Sequence, residues 1–283
     1  MPIHHPELRF MISVDQLQAG IIIPVDKPRQ WTSFQAVNKI KAVIRNSYGL
    51  KKFKIGHAGT LDPLATGLLL VCVGKATKDI TAIQDGDKEY TGTMVLGATT
   101  PCFDLEQAVD SYYPYEHITP ELIEQVRHQF EGGIMQVPPM FSAVKVDGQR
   151  AYQYARRDDP SVTIQPKQVQ VYRFEITAVR PGIDLKDTID SKVHKVSKDL
   201  KDLKDTNSPH LYDNPQGEVP KHLPQIDFIV HCGKGTYIRS LARDFGAALG
   251  SGAFLSALRR TRVGKYSVDN ALQLDQIQDY LLG

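Results

Sequence analysis

The sequence contains little cysteine and no long hydrophobic run. Its three cysteines, Cys72, Cys102 and Cys232, are widely spaced among 283 residues and form no C-x-x-C pair. This spacing argues against a zinc centre or a disulfide framework and favours a reducing compartment, so we expect a cytoplasmic protein. No segment approaches the ~20 apolar residues of a membrane helix, and the N-terminus lacks the apolar core of a signal peptide. We therefore expect no membrane association.

The sequence also has little net charge, but that charge is unevenly distributed. The formal net charge is +2 at pH 7. Residues 27–61 nevertheless contain no acid, and residues 234–265 contain only Asp244. If folding brings these two basic blocks together, they form a surface for phosphate groups. The alternative is that they are ordinary solvated faces. The cations are Lys27, Arg29, Lys39, Lys41, Arg45, Lys51, Lys52 and Lys54 in the first block, and Lys234, Arg239, Arg243, Arg259, Arg260, Arg262 and Lys265 in the second.

Hydrophobic periodicity predicts a mixture of helices and strands. Thr32 is a good N-cap for an amphipathic helix that ends at Gly49. The apolar run between Gly67 and Gly74 indicates a buried strand, or the end of a helix that runs into one. Two more helices are predicted at 119–132 and 238–249, and strands at 89–99, 141–146, 169–179 and 226–232, with a bulge near 171–174 in the third of these.

These elements follow no strict β-α-β repeat. The pattern favours an α+β fold with a mixed, largely antiparallel sheet flanked by helices. Residues 181–225 stand apart because their charges alternate, their prolines cluster and large apolar residues are sparse. We expect them to form a partly disordered surface insertion in a single domain of residues 1–283, whose core spans 20–274.

The densest group of turn-forming residues surrounds Asp62. Gly56, Gly59, Pro63 and Gly67 predict an irregular loop directly before the buried run, and Asp62 is the one acid in that loop. A carboxylate on a stiff loop beside a basic block can act as a nucleophile or a base. The alternative is that Asp-Pro makes a turn or caps a helix, which is the commoner use of this dipeptide.

The sequence around Asp62 matches a motif that is specific to one protein family. The segment GHAGTLDPLATG resembles the central motif of the TruB family of tRNA pseudouridine synthases. Four further blocks are similar to that family and follow in its order: GIIIPVDKPRQWTS, KEYTGTMVLGATT, QVPPMFSAVKVDGQRAYQYAR, and CGKGTYIRSLARDFG followed by LRRTRVG. The resemblance covers most of residues 20–274 apart from 181–225. It implies a pseudouridine synthase fold with a catalytic cleft.

The resemblance also implies the reaction and its catalytic group. Pseudouridine formation breaks the C1′–N1 bond of uridine, turns the uracil and joins its C5 to C1′. No redox step occurs, so we expect no cofactor. In the family an aspartate at the position of Asp62 either attacks C1′ or removes the C2′ proton, and the sequence leaves both routes open.

Other site residues come from the same resemblance. Arg239 is the implied ion-pair partner of Asp62, and the alternative is an exposed helix residue that contacts phosphate. Tyr90 is implied to stack on the uracil. Tyr237 is implied to line the pocket, although spacing alone equally allows both tyrosines to be core residues. Leu258 is implied to wall the site, and without the resemblance it is simply a leucine on a helix.

His57 is implied to hold the opened RNA loop and not to act as the base. It has no Cys or His companion nearby, so we expect no metal site. The implied substrate is the T-loop uridine at position 55 of tRNA, which must be flipped out of its stack to react. The partner is therefore the T-arm and elbow of tRNA, bound by a monomer. Candidate contacts to the RNA backbone are Lys27, Lys54, Lys234, Arg259, Arg260 and Arg262.

One departure from many family members is the absence of room for a C-terminal PUA domain after Gly264. We therefore expect a stand-alone bacterial type and not a guide-RNA-dependent one. A competing hypothesis is a non-catalytic RNA-binding or RNA-folding protein, which would share the basic blocks without needing Asp62. A hydrolase is a third reading, but glycosidases use two carboxylates and only one acid of this chain lies in a motif context. No GxxxxGK[ST] loop is present either.

Overall fold

The computed structural model describes residues 11–142, 144–146, 148–155, 157, 162–183 and 222–283. Helices and strands alternate irregularly along these residues. The helices are α1 (Val14–Ala19), α2 (Ser33–Tyr48), α3 (Ile80–Asp85), α4 (Pro120–Arg127), α5 (Ala151–Ala155), α6 (Ile238–Ala248) and α7 (Ile277–Leu282). The strands are β1 (Ile21–Lys27), β2 (Ile55–Ala58), β3 (Thr66–Val73), β4 (Lys88–Leu96), β5 (Ala98–Thr99), β6 (Ser111–Tyr112), β7 (Gly132–Gln136), β8 (Lys145–Val146), β9 (Gln149–Arg150), β10 (Lys167–Ile183), β11 (Leu223–Cys232), β12 (Ala253–Val263) and β13 (Tyr266–Ser267).

The chain divides into two compact units, and β3 is the central strand of the first. This unit consists of Met1–Glu89 and Arg259–Gly283. β3 pairs antiparallel with β1 and with β2, and parallel with the end of β12. Residues 67–73 of β3 are all buried, which explains why the strand is a continuous apolar run and does not alternate. Helix α2 buries one face, formed by Ser33, Ala36, Val37, Ile40 and Ile44.

The second unit, Tyr90–Leu258, is built on antiparallel strands. Its sheet has the order β12–β4–β11–β10–β7. Four phenylalanines form an edge-to-face cluster in its core, with ring centroids between 5.3 and 5.9 Å apart. Such aromatic pairs add stability beyond the area that they bury. The members of the cluster are Phe130, Phe174, Phe228 and Phe245.

The predicted α+β class and several predicted elements are confirmed. The Thr32 hydroxyl caps α2 by accepting a hydrogen bond from Gln35, and Gly49 ends the helix in the left-handed region at φ 66°. The buried strand before Gly74 is β3. The predicted irregularity of the third strand is present in β10, whose register shifts between Val171 and Arg173.

Two of the secondary-structure predictions are wrong. The strand expected at 141–146 is limited to β8, which pairs with β9 in a short hairpin of two residues on each strand. Leu258 lies on strand β12 and not on a helix. Its segment contains good helix formers, but β12 is held by its pairing with β3 and β13, and such non-local pairing overrides local propensity.

The expected insertion at 181–225 falls mostly outside the described residues. Where the structure describes its ends, they extend the β10–β11 ladder, since Ile183 pairs with Leu223 and Arg180 with Gln225. Leu223 is buried. In the described part of the chain, no helix is long and apolar enough to cross a membrane.

Candidate active site

Asp62 lies in the loop that joins β2 to β3 in the first unit. The two strands are antiparallel neighbours, so residues 59–65 form the connection of a hairpin. Inside it the Asp62 carbonyl oxygen accepts a hydrogen bond from the Ala65 amide at 3.1 Å, which makes a tight turn. Asp62 is half-buried, whereas its neighbours Leu61 and Ala65 are buried. The loop is thus anchored on both sides of a partly accessible carboxylate.

The Ser33 hydroxyl fixes the residue before Asp62. Its oxygen accepts from the Leu61 amide at 2.9 Å and donates to the Leu61 carbonyl at 3.1 Å. Ser33 is 2% exposed and is the first residue of α2. One side chain therefore satisfies both the N–H and the C=O of the buried residue Leu61, as buried polar groups require. The sequence predicts a helix start at Thr32-Ser33 but not this contact.

Lys27 fixes the residue after Asp62. Its ammonium donates to the carbonyl oxygens of Trp31 at 2.6 Å, Pro28 at 3.1 Å and Pro63 at 3.3 Å. The Pro63 carbonyl also accepts from the Gln30 amide at 2.8 Å. The prediction that Lys27 contacts RNA phosphate is corrected here, because the side chain is 0% exposed and its ammonium is directed at backbone carbonyls.

Arg260 holds the beginning of the same loop. Its guanidinium donates to the carbonyls of Gly59 at 3.0 Å and Leu68 at 2.8 Å, and the residue is 2% exposed. The predicted phosphate contact is therefore wrong for Arg260 as well. Its backbone approaches Gly67 so closely that a Cβ there would lie 2.3 Å from the Arg260 carbonyl oxygen. Gly67, at φ 98°, is the residue that permits this parallel pairing of β3 with β12.

His57 lies on β2, just before the loop. Burial lowers its pKa, the positive charge of Arg260 lowers it further, and a backbone hydrogen bond with Gly59 acts in the opposite direction. At pH 7 the neutral form of the ring therefore predominates more than in an exposed histidine. Its Nδ1 is buried and has no hydrogen-bond partner among the described residues.

The remaining basic candidates of the first unit differ in accessibility. Arg259 forms a two-pronged ion pair with Asp26, at 2.9 and 2.7 Å, and this contact raises the pKa of Arg259. Arg262 pairs with Asp87 at 3.0 Å. Lys54 is exposed. Of these three predicted phosphate contacts, two thus share their charge with a carboxylate.

In the second unit, Arg239 is buried on α6. It donates to the carbonyls of Phe141 at 2.8 Å and Cys102 at 3.1 Å, and its Nε lies 3.8 Å from a carboxylate oxygen of Asp104. Arg239 and Asp104 are each 5% exposed. Sequence reasoning missed Asp104, since nothing in its local pattern marks it as the neighbour of a residue 135 positions later.

Tyr237 precedes α6 and is held by Gln136. The Gln136 side-chain oxygen accepts from the Tyr237 amide at 2.7 Å, which satisfies one of the free N–H groups at the start of the helix. Ser240, in the first turn of α6, donates to the Val137 carbonyl at 2.8 Å, so the helix also contacts the residue after Gln136. Gln136 is 2% exposed and is not recognisable from sequence, although it opens the QVPP block.

Three candidates of the second unit occupy strands or loops. Tyr90 lies on β4 and is 9% exposed, whereas Leu258, at the end of this unit on β12, is half-buried. Lys234 is exposed in the connection between β11 and α6. The structure thus groups Lys27, His57, Asp62 and Arg260 in the first unit, and Tyr237 with Arg239 in the second.

This arrangement suits chemistry by a single carboxylate. Asp62 is held by contacts to the peptides on both of its sides, so its position is set by the fold and not by a flexible loop. A fixed carboxylate can attack an electrophilic carbon or remove a proton. Across the described residues, no cluster of three His, Cys, Asp or Glu side chains could hold a metal ion.

Comparisons with known proteins agree with one another. A family model described as TruB family pseudouridylate synthase (N terminal domain) matches residues 45–199. A second, described as tRNA pseudouridylate synthase B C-terminal domain, matches residues 239–282. The first model alone spans more than half of the chain.

Individual relatives and solved structures extend this match. The tRNA pseudouridine synthase B of Flavobacterium johnsoniae is 46% identical over 263 residues, which cover 93% of this chain and 96% of that protein. The enzyme of the same name from Phocaeicola vulgatus is 43% identical, with 93% of each chain covered. The crystal structure of a Cbf5-Nop10-Gar1 complex matches with a TM-score of 0.58 and 28% identity. This match covers 93% of the present chain and 55% of that longer one.

Proposed function

The chain belongs to the TruB family of pseudouridylate synthases, and we propose that it isomerises the T-loop uridine at position 55 of tRNA to pseudouridine. Relatives named tRNA pseudouridine synthase B match it over nearly their whole length. The enzyme would then be an intramolecular transferase, because a glycosidic bond moves from N1 to C5 of one uracil.

The proposed catalytic group is the carboxylate of Asp62. In one route it attacks C1′ of the flipped uridine and releases the uracil, which turns and attacks C1′ through C5. In the other route it removes the C2′ proton, which expels the uracil from C1′ and gives a glycal. C5 then adds to C1′ while the protonated Asp62 returns the proton to C2′. In both routes the C5 proton is lost at the end and the carboxylate is regenerated, so the atoms balance without a cofactor.

The observation that carries this proposal is the double anchoring of the Asp62 loop. Ser33 holds Leu61, and Lys27 holds Pro63, so the residues before and after Asp62 are both fixed by buried side chains. Catalytic groups must be held within about 0.5 Å of the productive geometry, which requires this kind of support. An Asp-Pro turn that served only to reverse the chain would not need it.

The pocket for the flipped uracil is proposed from the second unit. Tyr90 is proposed to stack on the base, and Tyr237 and Leu258 to line the pocket. Arg239 is proposed to balance the charge of Asp62. Its buried guanidinium, oriented by the carbonyls of Cys102 and Phe141, supports a positioning role of this kind.

Binding of the T-arm and elbow would offset the cost of flipping the base, which is a few kcal/mol. Of the predicted backbone contacts, Lys54, Lys234, Arg259 and Arg262 remain proposals, and His57 is proposed to help hold the opened RNA loop. We further propose that the protein acts in the cytoplasm as a monomer.

The substrate assignment is tested with tRNA transcripts labelled with tritium at C5 of uridine. Isomerisation of one uridine releases one tritium, so the protein should release one equivalent from the normal transcript. A matched transcript with cytidine at position 55 should release none. Equal release from both transcripts would show that another uridine is the target, and release from neither would exclude synthase activity on tRNA.

A further inference from the structure

One face of α2 carries an exposed aromatic residue in line with exposed polar and basic residues. Phe34, Asn38, Lys41 and Arg45 are spaced at i, i+4, i+7 and i+11, which places them on one stripe of the helix. All four are exposed, and Phe34 is 70% exposed, the highest value among the large apolar residues of the described chain. With a rise of about 1.5 Å per residue, the stripe is roughly 16 Å long.

In the part of the chain that the structure describes, no carboxylate neutralises the charge of this stripe. Among the described residues, neither Lys41 nor Arg45 forms an ion pair with a carboxylate. The second basic block behaves differently, since Arg243, Arg259 and Arg262 each pair with an aspartate. Helix α2 also contains no acid at all. Of the two basic blocks, the first therefore offers the more available positive charge.

The aromatic end of the stripe lies beside the Asp62 loop. Phe34 directly follows Ser33, whose hydroxyl bonds both backbone groups of Leu61. Adding these bonds to standard backbone spacings places the Cα atoms of Phe34 and Asp62 within roughly 12 Å of each other. Phe34 is therefore close enough to Asp62 to contact an RNA strand whose uridine reaches that carboxylate.

From these observations we propose that the α2 stripe, Phe34–Asn38–Lys41–Arg45, binds the RNA strand next to the target uridine. The proposal rests on the proposed function, because it takes the RNA substrate as the occupant. Phe34 stacks on an unpaired base near the flipped uridine, and Lys41 and Arg45 contact phosphates of the same strand. An aromatic side chain beside available cations is the combination that single-stranded nucleic acid requires.

The aromatic contact is tested by measuring the affinity of unmodified tRNA transcript for Phe34→Ala and Phe34→Trp. Loss of base stacking should weaken binding by about 5- to 100-fold in Phe34→Ala, whereas Phe34→Trp keeps an aromatic ring and should retain the wild-type affinity. The slope of log Kd against log salt should not change, since no charge is lost. Tyr280→Ala, which removes an aromatic residue that is 42% exposed on α7, is the matched control and should bind as wild type does.

The phosphate contacts are tested with Lys41→Gln and Arg45→Gln. Each should lower the salt slope by about 0.7 to 0.9, the value for one lost phosphate contact. Lys39→Gln removes the same charge from the same helix, but its side chain points about 140° away from Phe34 around the helix axis, so its salt slope should stay closer to that of wild type.

The result that overturns the proposal is unchanged affinity in Phe34→Ala together with salt slopes for Lys41→Gln and Arg45→Gln that equal that of Lys39→Gln. Tritium release by the wild-type protein distinguishes an incorrect stripe assignment from an incorrect proposed function. If wild type isomerises the tRNA and the stripe variants bind normally, the stripe assignment alone is wrong. If wild type releases no tritium, the proposed function is wrong, and the assignment of RNA to the stripe is then wrong as well.

Discussion

The hydroxyl of Ser33 bonds both the amide and the carbonyl of Leu61, at 2.9 and 3.1 Å, and thereby joins the start of helix α2 to the loop that carries Asp62. Ser33→Ala would leave two buried backbone groups without a partner. We expect this change to lower the free energy of unfolding by about 1–3 kcal/mol. Urea denaturation measures it, and Asn46→Ala at an exposed site of the same helix should stay within about 0.5 kcal/mol of wild type.

The same substitution should lower the rate of pseudouridine formation at temperatures where the variant is fully folded. The reason is that Asp62 directly follows the released residue. A Ser33→Ala variant that is folded and has the wild-type rate would show that this anchor is not needed for catalysis.

Lys27 is a buried cation that donates to three backbone carbonyls. Lys27→Met keeps the length of the side chain but removes its donors, so we expect a loss of about 1.5–3 kcal/mol in unfolding free energy. Lys54→Met, at an exposed site, serves as the stability control. If the two variants were equally stable, the interpretation of Lys27 as a structural anchor would be refuted.

Gly67 is predicted to tolerate no side chain. Its φ is 98°, and a Cβ would lie 2.3 Å from the Arg260 carbonyl oxygen, an atom of a buried strand that cannot move aside cheaply. Gly67→Ala should therefore destabilise the protein by more than the ~1–3 kcal/mol of backbone strain alone. Gly132→Ala tests that strain without a clash, since Gly132 has φ 87° and a Cβ added there would meet no atom within 4 Å. Thermal melting should show a lower melting temperature for Gly67→Ala than for Gly132→Ala, and equal melting temperatures would contradict this prediction.

Stability should depend on pH through His57. Burial and Arg260 lower the pKa of His57 in the folded protein, so the unfolded chain takes up a proton at a higher pH than the folded one. The stability that neutral His57 allows is fully present above the unfolded pKa of about 6.5. It is lost as the pH falls from there towards the folded pKa. Urea denaturation at pH 8 and at pH 5.5 should therefore show a larger acid-induced loss in wild type than in His57→Gln. An equal loss in both proteins would refute this assignment.

Much of the fold follows from local sequence signals. The Thr32 cap, the apolar spacing after it and Gly49 together specify α2, because a helix end is fixed by residues within one turn of it. The apolar run of β3 is similarly informative, since it is too short for a helix of average length and lies between glycines. The register shift of β10 is visible in the sequence as a break in the alternation of its side chains.

What sequence could not supply is the partner of each polar side chain. Lys27 and Arg260 belong to basic blocks that predict surface cations, but both are buried against carbonyls of the Asp62 loop. Charge patterning reports which residues are cationic and not which backbone groups face them. Strand β12, with Leu258, escapes prediction for the same reason, because its pairing with β3 joins residues nearly 200 positions apart.

Single-turnover tritium release from C5-labelled tRNA shows directly whether the Asp62 carboxylate performs the isomerisation. Asp62→Asn keeps the size of the side chain but removes its charge and most of its nucleophilicity. Wild type should release one tritium per tRNA, and the variant should bind the same tRNA yet react about 10⁴-fold more slowly or worse. Release by Asp62→Asn at a rate close to that of wild type would show that another group performs the isomerisation. A wild-type protein that binds tRNA tightly and releases no tritium would show that it does not isomerise this tRNA.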